Sequence, residues 1–107
     1  MRLRPMTRTQ GCALIAEIRA MAELPRGPNP EALARAKEIR FQLQGQAWSA
    51  PYLSAKIDAA YRDLDVLLSG RRWRDVSSID GLRNDIKSAC ARALSWLEKP
   101  AHADGAA

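Results

Sequence analysis

This sequence predicts an all-α fold, a small antiparallel bundle of about four helices, from three observations. Alanine supplies 19 of the 107 residues, whereas Val66 and Val76 are the only valines and Thr7 and Thr9 the only threonines. Alanine loses no side-chain entropy in a helix and β-branched residues pack best on pleated sheets, so that balance favours helix. Apolar residues then recur at spacings of three and four in four successive segments, which places them on one face of a helix. Finally, proline and glycine separate those segments by short connections, and short connections make consecutive helices antiparallel neighbours.

The first helix is predicted from about Thr9 to Leu24, with Leu14, Ile18 and Met21 on one face, Ile15 and Ala22 beside them, and Thr7 or Thr9 as cap. Pro25-Arg26-Gly27-Pro28 stops it. Asn29 caps the second helix and Pro30 takes its first position, where a missing backbone donor costs nothing. This helix is expected to reach roughly Ala47, with Ala32, Ala36, Ile39, Leu43 and Ala47 as its main stripe and Glu31 paired with Arg35 at i,i+4. Ala34, Phe41 and Trp48 fall on nearly the opposite side. A helix apolar on two faces is sandwiched between neighbours or offers its second face to another chain. Gly45 weakens the last turn.

Ser49 as cap and Pro51 in the first turn open the third helix. Its stripe of Leu53, Ile57, Ala60, Leu64, Leu67 and Leu68 is the cleanest in the chain, and Gly70 is placed to end it in a left-handed conformation. The fourth helix opens at Ser77 or Ser78 and carries Ile79, Leu82, Ile86, Cys90, Ala93 and Leu97 on one face. Lys99-Pro100 ends it. The expected organisation is a flexible basic arm over 1–8, one helical domain over 9–99 and a disordered tail over 100–107.

A formal net charge of +5 arises from 13 arginines and 4 lysines against 12 acidic residues. Alanine and arginine both have GC-rich codons, so part of the arginine excess reflects composition. The remainder favours an anionic partner, an acidic or mixed protein surface or nucleic acid. No apolar run reaches membrane-spanning length, and Met1-Arg2-Leu3-Arg4-Pro5 has charge with no uninterrupted apolar stretch behind it. Neither a membrane protein nor a secretory signal is expected, and the expected location is cytoplasmic. Cys12 and Cys90 are too few and too far apart for a disulfide scaffold or a zinc site.

No catalytic constellation emerges from the residues. The one histidine, His102, lies in the tail, where no geometry could hold it against a substrate. The glycines form no phosphate-binding loop. Asp58, Asp63 and Asp65 point away from the stripe of the third helix with Arg62 among them, unlike the inward-facing Glu and His of a di-metal bundle, and read as a solvated face. A non-enzymatic protein with no metal and no cofactor is the expectation.

The candidate binding residues cluster at the joint between the third and fourth helices. Arg71, Arg72, Trp73 and Arg74 set three guanidinium groups around an indole, the residue types most enriched at interface hot spots. Phe41 and Trp48 would extend such a surface. Arginines that follow a helix C-terminus also satisfy its carbonyls and its partial negative charge, so the joint has an equal structural explanation. The functional expectation is a protein-binding module, an inhibitor or regulator that docks on a larger protein. Its size suits small phage- or mobile-element-encoded factors of the anti-CRISPR kind, by analogy of size and composition alone. The alternative is a nucleic-acid-binding factor in which Arg2, Arg4 and Arg8 join the Arg71–Arg74 patch on phosphates. Homodimerisation through the Phe41/Trp48 face is compatible with both.

Overall fold

The computed structural model describes residues 2–70 and 78–98, and it is all-α. Four helices follow in order: α1 Arg8–Met21, α2 Pro30–Gln44, α3 Pro51–Leu68 and α4 Ile79–Glu98. The main interhelical contacts run α1 to α2, α2 to α3, α3 to α4 and α4 back to α1. This closed ring of sequential neighbours is the arrangement that short connections between amphipathic helices favour.

Each helix begins and ends for an identifiable reason. The Thr7 hydroxyl accepts from the Gln10 N–H while the Gln10 side chain accepts from the Thr7 N–H, a reciprocal capping box that starts α1 at Arg8. Asn29 Oδ1 accepts from the Ala32 N–H and Pro30 follows it, as the sequence led one to expect for α2. The cap of α3 is instead Ala50, with no side-chain hydrogen bond. Ser49 falls one residue too early because its N–H donates to the Gln46 carbonyl in the turn that leaves α2. That turn also ends α2 at Gln44, short of Ala47, which is exposed. Ser78 Oγ accepts from the Gly81 N–H at the start of α4.

The core lies where the stripes meet. Leu53, Ile57, Ala60, Leu64, Leu67 and Leu68 of α3 face Leu82, Ile86, Ala89, Cys90, Ala93 and Leu97 of α4. Ile15 and Ile18 of α1 and Ala36, Ile39 and Leu43 of α2 close the other side. Cys90 is a small core residue whose thiol burial pushes up to about 11, and both cysteines are unpaired.

Polar contacts tie the helix ends together. Arg83 of α4 donates through Nε to the Ala22 carbonyl at 2.8 Å and through Nη2 to the Leu24 carbonyl at 2.9 Å. These are carbonyls that the end of α1 leaves without helical donors. The segment between α1 and α2 then crosses the end of α3, where the Gly27 and Asn29 N–H groups donate to the Leu67 and Leu68 carbonyls. Pro28 packs on Gly70, whose φ of 77° is the left-handed conformation anticipated for the end of α3. Arg35 does not settle on Glu31. Its guanidinium grips Glu17 of α1 through Nε and Nη2 at 2.5 and 3.0 Å and reaches Glu38 at 3.2 Å, because the bidentate fork fits a carboxylate across the helix pair. That hydrogen bond holds the Glu17 carboxyl below its usual range.

Two glycines give the packing a direct test. A Cβ on Gly11 would lie 2.7 Å from Trp48 Cη2 and 3.4 Å from Leu43 Cδ2. Alanine in a helix interior normally gains about 1 kcal/mol over glycine. At Gly11 the sign should reverse, with Gly11→Ala destabilising by roughly 1–3 kcal/mol in a denaturant melt through overpacking. Gly70→Ala should cost at least about 1–2 kcal/mol, the penalty of a left-handed residue with a Cβ, with Pro28 adding to it.

Candidate functional site

Three large apolar side chains stay exposed among the described residues: Leu3 at 44%, Phe41 at 40% and Tyr52 at 46%. Their positions follow from the way α2 is used. Its inner stripe closes the core, and Lys37, Phe41 and Gly45 run at i,i+4 spacing along its outside. Gly45 has no side chain, and Leu3 occupies that space: a Cβ on Gly45 would lie 2.6 Å from Leu3 Cδ1. Leu3 therefore sits one helical turn from Phe41 on the same side of α2.

Beside Phe41 the surface falls into two open depressions that share Arg40 as a wall. One, of about 250 Å³, is lined by Lys37, Arg40, Phe41 and Gln44. The other, of about 480 Å³, lies between α2 and α3 against Arg40, Ala55, Asp58, Tyr61 and Arg62. Arg40 is fixed in place. Its Nε donates to Asp58 Oδ1 at 2.7 Å, and its guanidinium carbon lies 5.1 Å from the centre of the Tyr61 ring. Gln44 Nε2 donates to the same Asp58 oxygen at 2.8 Å. Farther along α3, Lys56 covers the Tyr52 ring at 5.2 Å. The α2–α3 face thus combines Phe41 and Tyr61 with Lys37, Arg40 and Arg62 around the ion-paired Asp58, whereas Tyr52 and Lys56 share the side of α3 on which Asp63 meets Asp85 of α4.

The predicted site residues are distributed unevenly over this structure. Phe41 is on the outer face of α2, as expected. Trp48 is not beside it. The indole turns inward over Gly11 and Leu43, packs against the core, and donates from Nε1 to the Met6 carbonyl at 3.0 Å. An indole with its N–H bonded and its ring on apolar atoms satisfies both halves of the side chain at once. A surface or a dimer contact shared by Phe41 and Trp48 therefore loses its second member. Arg71, Arg72, Trp73 and Arg74 lie outside the described residues, as do His102 and the 100–107 tail.

The basic arm also takes a definite path. Residues 2–6 lie along α2, held by Gln42 and Gln46, where a flexible arm was expected. The physical reason is the buried Gln42 amide, whose hydrogen bonds are made to the backbone of this segment. Arg2 and Arg4 carry exposed side chains on the segment, whereas Arg8 belongs to the first turn of α1. The three arginines do not form one free arm.

Sequence reasoning missed Leu3, Arg40, Gln42, Gln46 and Tyr61. Phe41-Gln42-Leu43-Gln44-Gly45-Gln46 did carry a signal, since two glutamines four apart beside a core leucine must find partners if buried. The acidic face of α3 is only partly a solvated one. Asp58 is engaged by Arg40 and Gln44, and Asp63 is half-buried near Asp85 of α4. Among the described residues no group of three or more His, Cys, Asp or Glu side chains could hold a metal ion. No described helix is long and apolar enough to cross a membrane. No protein-family model, curated protein or solved structure matches the chain.

Burial pushes the Asp63 carboxyl above its ordinary value, and the Asp85 charge adds to the shift while Arg62 opposes it. A raised folded-state pKa means that ionisation weakens the fold. The penalty is absent when the group is protonated in both states and grows as pH rises through the aspartate range near about 3.9. Asp63→Asn should therefore raise the melting temperature at pH 7, with the gain shrinking toward zero as the pH falls below about 3.5. A gain unchanged across that interval would assign the effect to packing.

Proposed function

We propose that this chain is a non-enzymatic binding module that docks on a larger protein through the outer face of α2 and its border with α3. The observation that carries this reading is the exposed pair Phe41 and Leu3, one turn apart, beside depressions walled by a fixed Arg40. Adjacent apolar groups rimmed by polar residues mark contact surfaces, whereas singly exposed ones do not, and Leu3 and Phe41 are adjacent. Tyrosine and arginine around them supply the residue types that dominate binding energy at interfaces. The held geometry of Arg40 matters here. An arginine already paired with Asp58 and stacked on Tyr61 loses little freedom when a partner arrives, so less affinity is lost to ordering.

The charge of the face points to the chemistry of that partner. Lys37, Arg40 and Arg62 outnumber Asp58 on this face, so an acidic or mixed protein surface presenting apolar anchors complements it. Inhibition or regulation of a larger assembly is the role such a module performs with no chemistry of its own. Single-strand binders set successive aromatics along a basic groove, whereas on this face Arg40 is engaged by Asp58 and Tyr61, which ranks nucleic acid second.

Capture from the native host, followed by titration of each copurifying protein with purified chain, tests the reading. Phe41→Asp should weaken a direct partner by about thirtyfold or more, as loss of a central hot spot does. Stability should stay within about 0.5 kcal/mol, because Phe41 is outside the core. Ala91→Asp on the exposed side of α4 should leave affinity unchanged. Equal affinity for the native and Phe41→Asp chains removes this face as the interface. Capture of nucleic acid alone, with a steep salt dependence, would replace protein binding by the nucleic-acid reading.

A further inference from the structure

Residues 2–6 have no helix or strand of their own, yet Gln42 of α2 and Gln46 and Trp48 in the turn that follows it grip their backbone at five points. The Arg4 N–H donates to Gln42 Oε1 at 2.8 Å, and Gln42 Nε2 donates to the Arg2 carbonyl at 2.5 Å. One turn on, the Met6 N–H donates to Gln46 Oε1 at 3.2 Å, and Gln46 Nε2 donates to the Arg4 carbonyl at 2.7 Å. Trp48 Nε1 completes the set on the Met6 carbonyl at 3.0 Å. Each glutamine therefore offers one donor and one acceptor to alternate residues of an extended chain, as a neighbouring strand would.

Gln46 follows the Gly45 cap that ends α2, where its Nε2 also donates to the Gln42 carbonyl at 2.9 Å, and the two amides reach residues 2 and 4, then 4 and 6, of the segment. Every one of these bonds goes to main chain. The side-chain demands are few: an aliphatic group over Gly45, where Leu3 sits, and no proline at the donating positions. Pro5 occupies a position between the donors, where its missing N–H costs nothing. Gln42 is only 7% exposed, the one buried polar side chain among the described residues, so the grip is built into the edge of the core. The gripped segment is the opposite, with exposed side chains from Arg2 through Pro5.

We propose that Gln42, Gln46 and Trp48 form a clamp for extended peptide backbone. Residues 2–6 occupy it in cis, and an extended segment of a partner protein, with an aliphatic residue over Gly45, takes their place in trans. Backbone-directed recognition with one side-chain pocket is how added-strand peptide sites achieve affinity with broad sequence tolerance. The cis segment acts as a tethered competitor at an effective concentration on the order of millimolar, so a partner must also be held elsewhere or the segment must be loosened. Leu3 belongs to both surfaces, but the clamp makes no use of Phe41, so Phe41→Asp tests the outer face while leaving the clamp's hydrogen bonds in place.

The test uses the full chain with Arg4→Pro, which deletes the N–H that Gln42 accepts and loosens the cis segment, with Leu3→Gly as a second opening variant. The probe is an acetylated peptide with the sequence of residues 1–7, and its control is the same peptide N-methylated at Arg4. In nitrogen-15 spectra the probe should shift the side-chain amides of Gln42 and Gln46 and the Trp48 indole N–H in a saturable manner. Adding Gln46→Met to the opened chain should weaken binding by about tenfold, from the loss of two hydrogen bonds. The absence of saturable shifts at these groups with millimolar peptide overturns the proposal, and so does equal binding of the N-methylated control. Loss of cooperative melting in both opened variants overturns it as well, because the segment is then part of the core.

Discussion

A primary amide buried at the edge of a helical core must be given partners, and the course of the N-terminal segment follows from that need. Gln42 neighbours Leu43 on α2 and is drawn inward with it, so both ends of its amide leave water. An unpaired buried amide would cost about 1–3 kcal/mol, a large share of the stability of a domain this size. Residues 2–4 supply the missing donor and acceptor. Once they lie there, Met6 falls under the Trp48 indole, Trp48 is laid over Gly11, and Leu3 comes down on Gly45 next to Phe41. One buried side chain thus sets both the seal between α1 and α2 and the apolar composition of the outer face.

The rest of the bundle distributes its polar work differently. The α3–α4 seam is almost wholly aliphatic and provides the largest continuous burial. Charged contacts are moved to the rims, where Arg35 joins α1 to α2, Arg40 joins α2 to α3, and Lys87 of α4 pairs with Glu23 in the turn after α1. Exposed pairs of this kind add little stability each. Their value is orientation: each ties together a different part of the bundle. Arg83 has a stronger role, because its two acceptors are carbonyls at the frayed end of α1.

Much of the fold was legible in the sequence because helix period, caps and breakers are local signals. The stripes of α3 and α4, the Asn29-Pro30 start and the left-handed Gly70 all depend on residues within a turn or two. Thr7 as cap was legible for the same reason. What was not legible depended on partners distant in sequence. Trp48 has apolar spacing that fits an outward face, and only its meeting with Gly11 and Met6, about forty residues away, turns it inward. Arg35 has a plausible local partner in Glu31, yet its fork prefers a carboxylate on another helix. The 2–6 segment reads as a loose basic arm because the residues that hold it are two glutamines, which carry no charge or hydropathy signal. Of the proposed binding surface, Phe41 was visible as an apolar residue on the outward face of its helix. Arg40 and Tyr61 were not, since their significance comes from stacking between helices.

The hold of Gln42, Gln46 and Trp48 on the backbone of the N-terminal segment is measured directly by amide hydrogen exchange in the native chain. The Arg4 and Met6 amides should exchange at least about tenfold more slowly than in a free peptide of the same sequence. Gln42→Leu should return Arg4 to the peptide rate while the α3 and α4 amides keep their protection. Exchange of Arg4 and Met6 at the free-peptide rate in the native chain would contradict the account.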